Sequence, residues 1–209
     1  METTSLKNLE RNMFRDSIQD GILDIQLGLM LLMFVLPIYI NPYLGDFWSS
    51  VVFLPLWFAI ILGFRAYRKK VVQPRVGTIQ YGKYRKKRLK RLNIIILVVN
   101  LAAFGIGILS FFQAKVLPGW AVSARFSIIM LVGFSLAGYM LEFPRIYLYG
   151  VLISAAPIIG EYLYQNHGFS HHGFPVTFGV LSAAITINGL VILLRLLRKY
   201  PPHEHEDLE

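Results

Sequence analysis

Charged side chains set inside long apolar runs are where chemistry would concentrate, because a charge in hydrocarbon is costly unless it is paired or used. This chain has few of them. Asp20 and Asp24 stand one helical turn apart at the start of the first apolar run, and Gly21 and Gly28 lie on nearly the same face as Asp24. Two carboxylates at that spacing can hold a proton or a cation on a permeation path. The plainer reading is an ion-pair latch for Arg65, Arg68 or the basic stretch beyond them. Arg125 and Glu161 form a second pair, each one to two turns from the same border of neighbouring apolar runs. They read as a structural ion pair or as snorkelling groups, and more sharply as a ligand or ion site. His167, His171 and His172 come third. With Glu161 they offer imidazole and carboxylate donors of the kind that zinc accepts. Their spacing is loose and broken by Gly168, so a plain polar loop or a proton-sensing loop fits as well.

Twelve of the twenty-one Lys and Arg residues fall between Arg65 and Arg91. Arg75, Lys83, Arg85, Lys86, Lys87, Arg88, Lys90 and Arg91 make up its later part, a candidate surface for anionic lipid headgroups or a soluble acidic partner. Nucleic acid is not expected, since only Tyr81 and Tyr84 supply stacking there and no binding module is visible. Other chemistries lose their residues. The chain has no cysteine, which removes thiolate metal ligation and thiol redox chemistry. All five histidines lie outside the apolar runs, which removes a haem held inside a bundle. No His-Glu-x-x-His, Gly-x-Ser-x-Gly or glycine-rich phosphate loop occurs. No cofactor and no catalytic residue are expected, and a non-enzymatic protein is the better reading.

The elements that must position these groups are membrane helices. Of 209 residues, 55% are hydrophobic and 16% charged, against roughly 25% charged in a soluble domain. The apolar residues come in blocks of about twenty, the length that crosses a hydrocarbon core as helix. The blocks predict an all-α, six-span bundle with spans near 21–40, 47–64, 92–112, 120–141, 145–164 and 176–197. The first is read as a retained span, not a cleaved signal. Nineteen of the twenty-one basic residues then lie on one side, which predicts both termini in the cytoplasm of a bacterial inner (plasma) membrane.

Five segments follow: an amphipathic interfacial stretch over 1–20, a transmembrane hairpin over 21–64, the basic loop 65–91, a four-span bundle over 92–198 and a polar tail over 199–209. Asn41 to Asp46 is full of turn formers and predicts the tip of the hairpin. Alternation of Val76, Thr78 and Gln80 with Gly77, Ile79 and Tyr81 predicts a short extended element within Pro74–Gly82, and Lys83 to Arg91 reads as a basic helical lead-in to the third span. Tyr39, Tyr43, Trp48, Trp120, Tyr147, Tyr149, Tyr162 and Tyr164 fit an aromatic belt. Small residues four apart, Gly150 with Ser154, Ala156 with Gly160, Gly133 with Ala137 and Gly179 with Ala183, predict close helix contacts.

Asp20-Gly21…Asp24…Gly28, then Pro74-Arg75-Val76-Gly77…Tyr81 with its basic follow-on, and Arg195…Arg198-Lys199-Tyr200-Pro201 resemble small bacterial six-span membrane proteins of uncharacterised function. The resemblance covers most of the chain and implies the fold class alone. Two functions follow as expectations. The first is a membrane module that binds anionic lipid or a partner through the basic loop. The alternative is a small transporter or channel using Asp24 or the Arg125–Glu161 pair, with a second copy of the chain completing the path.

Overall fold

A computed structural model describes residues 19–33, 35–76, 83–113 and 118–201. All but the last two residues of the amphipathic stretch expected over 1–20, and most of the polar tail, lie outside them. Among the described residues every regular element is helical. In chain order these are α1 (Ile22–Leu32), α2 (Leu36–Val51), α3 (Phe53–Tyr67), a π-helical turn (Arg68–Val72), α4 (Gln73–Val76), α5 (Lys83–Gln113), α6 (Gly119–Leu141), α7 (Pro144–His167), a short turn (His171–Gly173) and α8 (Phe174–Lys199).

Three stretches are long and apolar enough to cross a membrane: Gly119–Leu141, Pro144–His167 and His171–Lys199. At 1.5 Å per residue each exceeds the roughly 30 Å of hydrocarbon. Ile22–Leu32 and Leu36–Gly45 pass together as a fourth, bent by 43° at the break between them. The protein is therefore an all-α membrane protein with three or four candidate spans among the described residues.

Two sequence expectations change here. Asn41–Gly45, read as a turn, belongs to α2, and the chain leaves helical geometry at Gly45 (φ 74°, ψ 166°). Pro42 does not stop the helix, although its ring removes a backbone donor. The second expected span consequently divides between the end of α2 and the 15-residue α3. The expected extended element begins instead in a helical turn, Gln73–Val76, and residues 77–82 lie outside the described residues. The third expected span occupies the later part of α5, one continuous helix of 31 residues that begins in the basic stretch.

The chain forms two compact units. The first draws on Met1–Met33, Tyr39–Gln80 and Ser182–Glu209. Its core is Ile22, Ile25, Val72 and Leu193, with Leu29, Phe64, Tyr67, Leu196 and Leu197 packed around it. Here α1 crosses the later part of α8 at backbone distance. A Cβ on Gly189 would lie 2.7 Å from the Ile25 nitrogen and 2.8 Å from the Gly21 oxygen. Gly28 is pressed against Thr186 and Ser182, and the Ser182 hydroxyl donates to the Gly28 carbonyl at 2.7 Å. Gly21 opposite Gly189, and Gly28 opposite Ser182 and Thr186, make the pair antiparallel.

The second unit draws on Phe34–Ile38 and Tyr81–Leu181. Its centre is the α6–α7 hairpin. Glu142 takes a left-handed conformation (φ 54°), the Phe143 amide bonds back to the Gly138 carbonyl at 3.2 Å, and Pro144 opens α7. That arrangement caps one helix and starts the next without a glycine. Phe143 is buried, and the Arg145 guanidinium sits 4.7 Å from its ring centre. Contacts then step outward from the turn: Gly138 on the Tyr147 ring, Gly150 on Phe134, Gly119 on Glu161. Of the expected small-residue pairs, those of α7 carry tight packing, with Ala156 and Ser154 buried. Gly133 and Gly179 make only ordinary contacts, with Val99 and Val35. Tyr149 leaves the expected aromatic belt and is a core residue, whereas Tyr39, Tyr43, Trp120, Tyr147, Tyr162 and Tyr164 are exposed.

Candidate functional site

Among the described residues three carboxylates are buried along the helices, and each unit keeps its own. In the first unit Asp20 precedes α1 and caps it from one residue out, its Oδ1 accepting the Ile22 amide at 3.0 Å. Its Oδ2 lies 3.0 Å from Arg68 Nη2, in the π-helical turn. The contact is an ion pair. Asp24 is fully buried one turn further on. Gly21 is what allows Asp20 so close: its φ of +84° suits glycine, and a Cβ there would overlap the Gly189 carbonyl of α8. A second tie follows on the same segment, where Arg75 Nη1 donates to the Leu197 carbonyl in the last turns of α8 (3.5 Å). The expected latch between the acidic turn and the basic segment is thus an Asp20–Arg68 pair with Arg75 as a second anchor.

Burial holds the Asp20 carboxyl above its ordinary range, and Arg68 and the Ile22 amide oppose that without cancelling it. The sign of its effect follows. The folded state binds this proton more tightly than the unfolded chain does, so the stabilisation is fully present below the ordinary carboxyl pKa and is lost as pH rises through the raised one. At neutral pH, Asp20→Asn is expected to leave stability unchanged or to raise it, since Asn keeps an oxygen for the Ile22 amide. Arg68→Ala is expected to cost about 1 kcal/mol, a breakage penalty reduced because Arg68 is partly in solvent. Unfolding in detergent micelles reads both, and the reverse ranking of the two variants would contradict this account.

In the second unit Glu161, 4% exposed, is the hub of three elements. Its Oε1 accepts Gln165 Nε2 from the same helix at 2.7 Å, and its Oε2 accepts His172 Nδ1 at 2.8 Å. The first residue of α6, Gly119, lies so near that a Cβ there would overlap the carboxylate. A negative group against the first turn of a helix is favoured by the unpaired amides and the dipole of that end. Arg125 sits six residues beyond Gly119, about 9 Å along the axis and on another face of α6. It is half-buried, and Ser123 and Ser127 occupy the buried stripe two residues to either side.

The three histidines do not gather. His172 turns to Glu161, and its ring lies 4.4 Å from that of Tyr164. His167 meets the Tyr162 ring edge-on at 5.9 Å, and all three histidines are exposed. Among the described residues no group of three or more His, Asp or Glu side chains is placed to hold a metal ion. The turn that carries His172 is unusual. His171 (φ 52°), His172 (φ 53°) and Gly173 (φ 64°) are consecutive left-handed residues, closed by the Gly173 amide on the Ser170 carbonyl at 3.0 Å. Two positive central φ values are the pattern of a type I′ turn, which favours Asn-Gly and Gly-Gly. Left-handed backbone costs a residue with a Cβ roughly 1–2 kcal/mol. Histidine tolerates it better than most residues.

No protein-family model, curated protein or solved structure matches this chain.

The site therefore rests on its own geometry. Of the basic residues expected to form a surface, Lys87, Lys90 and Arg91 are exposed on the first turns of α5, and Arg75 is half-buried at its anchor. The backbone of Lys83, Arg85, Lys86 and Arg88 belongs to the same helix α5. Lys69 and Lys70, exposed within the π-helical turn, were not singled out from the sequence. Gln165 and Gly119, which complete the Glu161 hub, were also missed. Only Gln165 left a signal, standing four residues after Glu161 on one helical face.

Proposed function

We propose that this protein is a multi-pass integral membrane module, not an enzyme, that binds anionic lipid headgroups through the basic segment between Arg65 and Arg91. In this reading the chain crosses the membrane six times with both ends in the cytoplasm, where that segment meets the negative leaflet. One observation carries it: the segment divides its charges. Arg68 and Arg75 are spent on internal partners, Asp20 and the Leu197 carbonyl, while the intervening Lys69 and Lys70 are exposed. A segment held in place by two arginines presents its lysines at a fixed site instead of on a loose loop, which lowers the ordering cost of binding. Lys87, Lys90 and Arg91 add three more exposed charges at the start of α5. The surroundings of Asp20 and Asp24 support a packing role for them, since each is buried against tightly apposed helices.

The test is lipid retention. Protein in mixed phosphatidylglycerol–phosphatidylcholine nanodiscs is expected to enrich the anionic lipid around itself, measured by native mass spectrometry after release. With about 1 kcal/mol for each surface charge, Lys69→Gln with Lys70→Gln should lower that enrichment about tenfold or more, and so should added salt. Equal retention by wild type and the double variant would rule the reading out. Salt-sensitive capture of an acidic soluble protein, with no lipid preference, would assign the surface to a partner instead.

A further inference from the structure

We propose that the His171–Gly173 turn is a strain-loaded lid over Glu161, held shut by the hydrogen bond from His172 Nδ1 to the carboxylate. This inference is independent of the lipid-binding reading and concerns the other unit.

Three observations converge on it. First, the turn is closed in a conformation its residues resist. Two histidines occupy the central positions of a turn that favours glycine or asparagine, and a third left-handed residue follows. The contrast lies within the same chain: Glu142 is also left-handed, but singly, at a helix end where that conformation is ordinary. Second, the attachment is local and points one way. Gly173 lies on Gly160, where a Cβ on either would meet the other's backbone or its neighbours, and His172 bonds the next residue, Glu161. Both anchors thus sit on adjacent residues of α7, so releasing one loosens the other. Third, what lies beneath is a carboxylate. The His172 side chain is 52% exposed and that of Glu161 5%, so the imidazole stands between the carboxylate and the outside.

The energetic balance makes this a lid. Strain pushes the turn open, and a charge-assisted hydrogen bond, stronger than a neutral one, pulls it shut. A connection serving only to join α7 to α8 would need neither. Opening would bare Glu161 to whatever cation or proton reaches that end of the helices, and closing would withdraw it.

The experiment uses two substitutions with opposite expected signs, read by amide hydrogen exchange at Gly173 in full-length protein in micelles. Glu161→Gln keeps an acceptor but removes the charge, and should speed Gly173 exchange about tenfold. His171→Gly removes strain while keeping the latch, and should slow it by a factor of about three to five. Amides in the middle of α7, around Ile153, should exchange as in wild type in both. A plain structural tie predicts no slowing by His171→Gly, because added glycine freedom would only loosen the turn. Faster or unchanged exchange in His171→Gly overturns the proposal. So does Glu161→Gln loosening the whole of α7 to the same degree as the turn. If Glu161→Gln does not fold, the His171→Gly result decides alone.

Discussion

Gly189→Ala is expected to lower stability by about 3 kcal/mol, and Gly189→Val to leave no folded protein to purify. The added methyl would lie 2.7 Å from the Ile25 nitrogen, 2.8 Å from the Gly21 oxygen and 2.8 Å from Ile25 Cγ1. Two of those three atoms are backbone, so no side chain can swing away. The helices would have to part, which puts the effect at the upper end of the usual overpacking penalty of about 1–3 kcal/mol. Separation would also reach the acidic turn, because Gly21 is flanked by Asp20 and its carbonyl is one of the atoms struck. Gly63 and Gly105 are the controls. Nothing lies within 4 Å of a Cβ on either, so alanine there should be neutral or gain up to about 1 kcal/mol in helix propensity. Thermal inactivation followed by size-exclusion in detergent separates the two classes. Equal tolerance at Gly189 and Gly63 would mean that α1 and α8 do not cross at backbone distance.

The second large effect is expected at His172. His172→Ala should cost about 2–3 kcal/mol, more than Glu161→Gln. Alanine leaves the carboxylate buried with Gln165 as its remaining neutral donor and puts a Cβ residue with no latch into the same left-handed geometry. Breaking a buried pair by removing one partner costs about 3–5 kcal/mol, and the value is reduced here because the imidazole is half in solvent. Glu161→Gln removes the charge that needed compensating. Denaturant unfolding of the two single variants and the double variant gives the coupling directly. A coupling near zero would show that His172 and Glu161 are neighbours without mutual dependence.

The helical class and the membrane setting were legible from the blocks of apolar residues, because length and hydrophobicity alone decide whether a segment can cross lipid. The last three expected spans reappear as α6, α7 and α8 with ends shifted by a few residues. The region around Asn41 misled for a physical reason. Asn, Pro and Gly are strong turn formers, yet the helix continues through Pro42 and breaks only at Gly45, where a positive φ demands glycine. The site was half legible. Asp20, Asp24 and Glu161 stood out because carboxylates in apolar runs are rare, and the link from the acidic turn to Arg68 followed from charge. What no spacing rule could supply was which partner a carboxylate finds across the fold. Glu161 meets His172, eleven residues on, because the chain reverses in a left-handed turn whose two histidines carry no turn signature.

The wide turn at Arg68–Val72 has one further consequence. Its ring closes from the Gln73 amide to the Arg68 carbonyl, five residues back instead of four. Such a turn holds one residue more than an α-helix would need to cover the same path. The surplus residue is absorbed within the turn. Removing one of the paired lysines would let the α-helix run straight through and would leave the following residues near their present phase, so Arg68 would still face Asp20 and Arg75 the Leu197 carbonyl. The turn thus works as slack: it fits a second exposed lysine between two anchored arginines without moving either anchor.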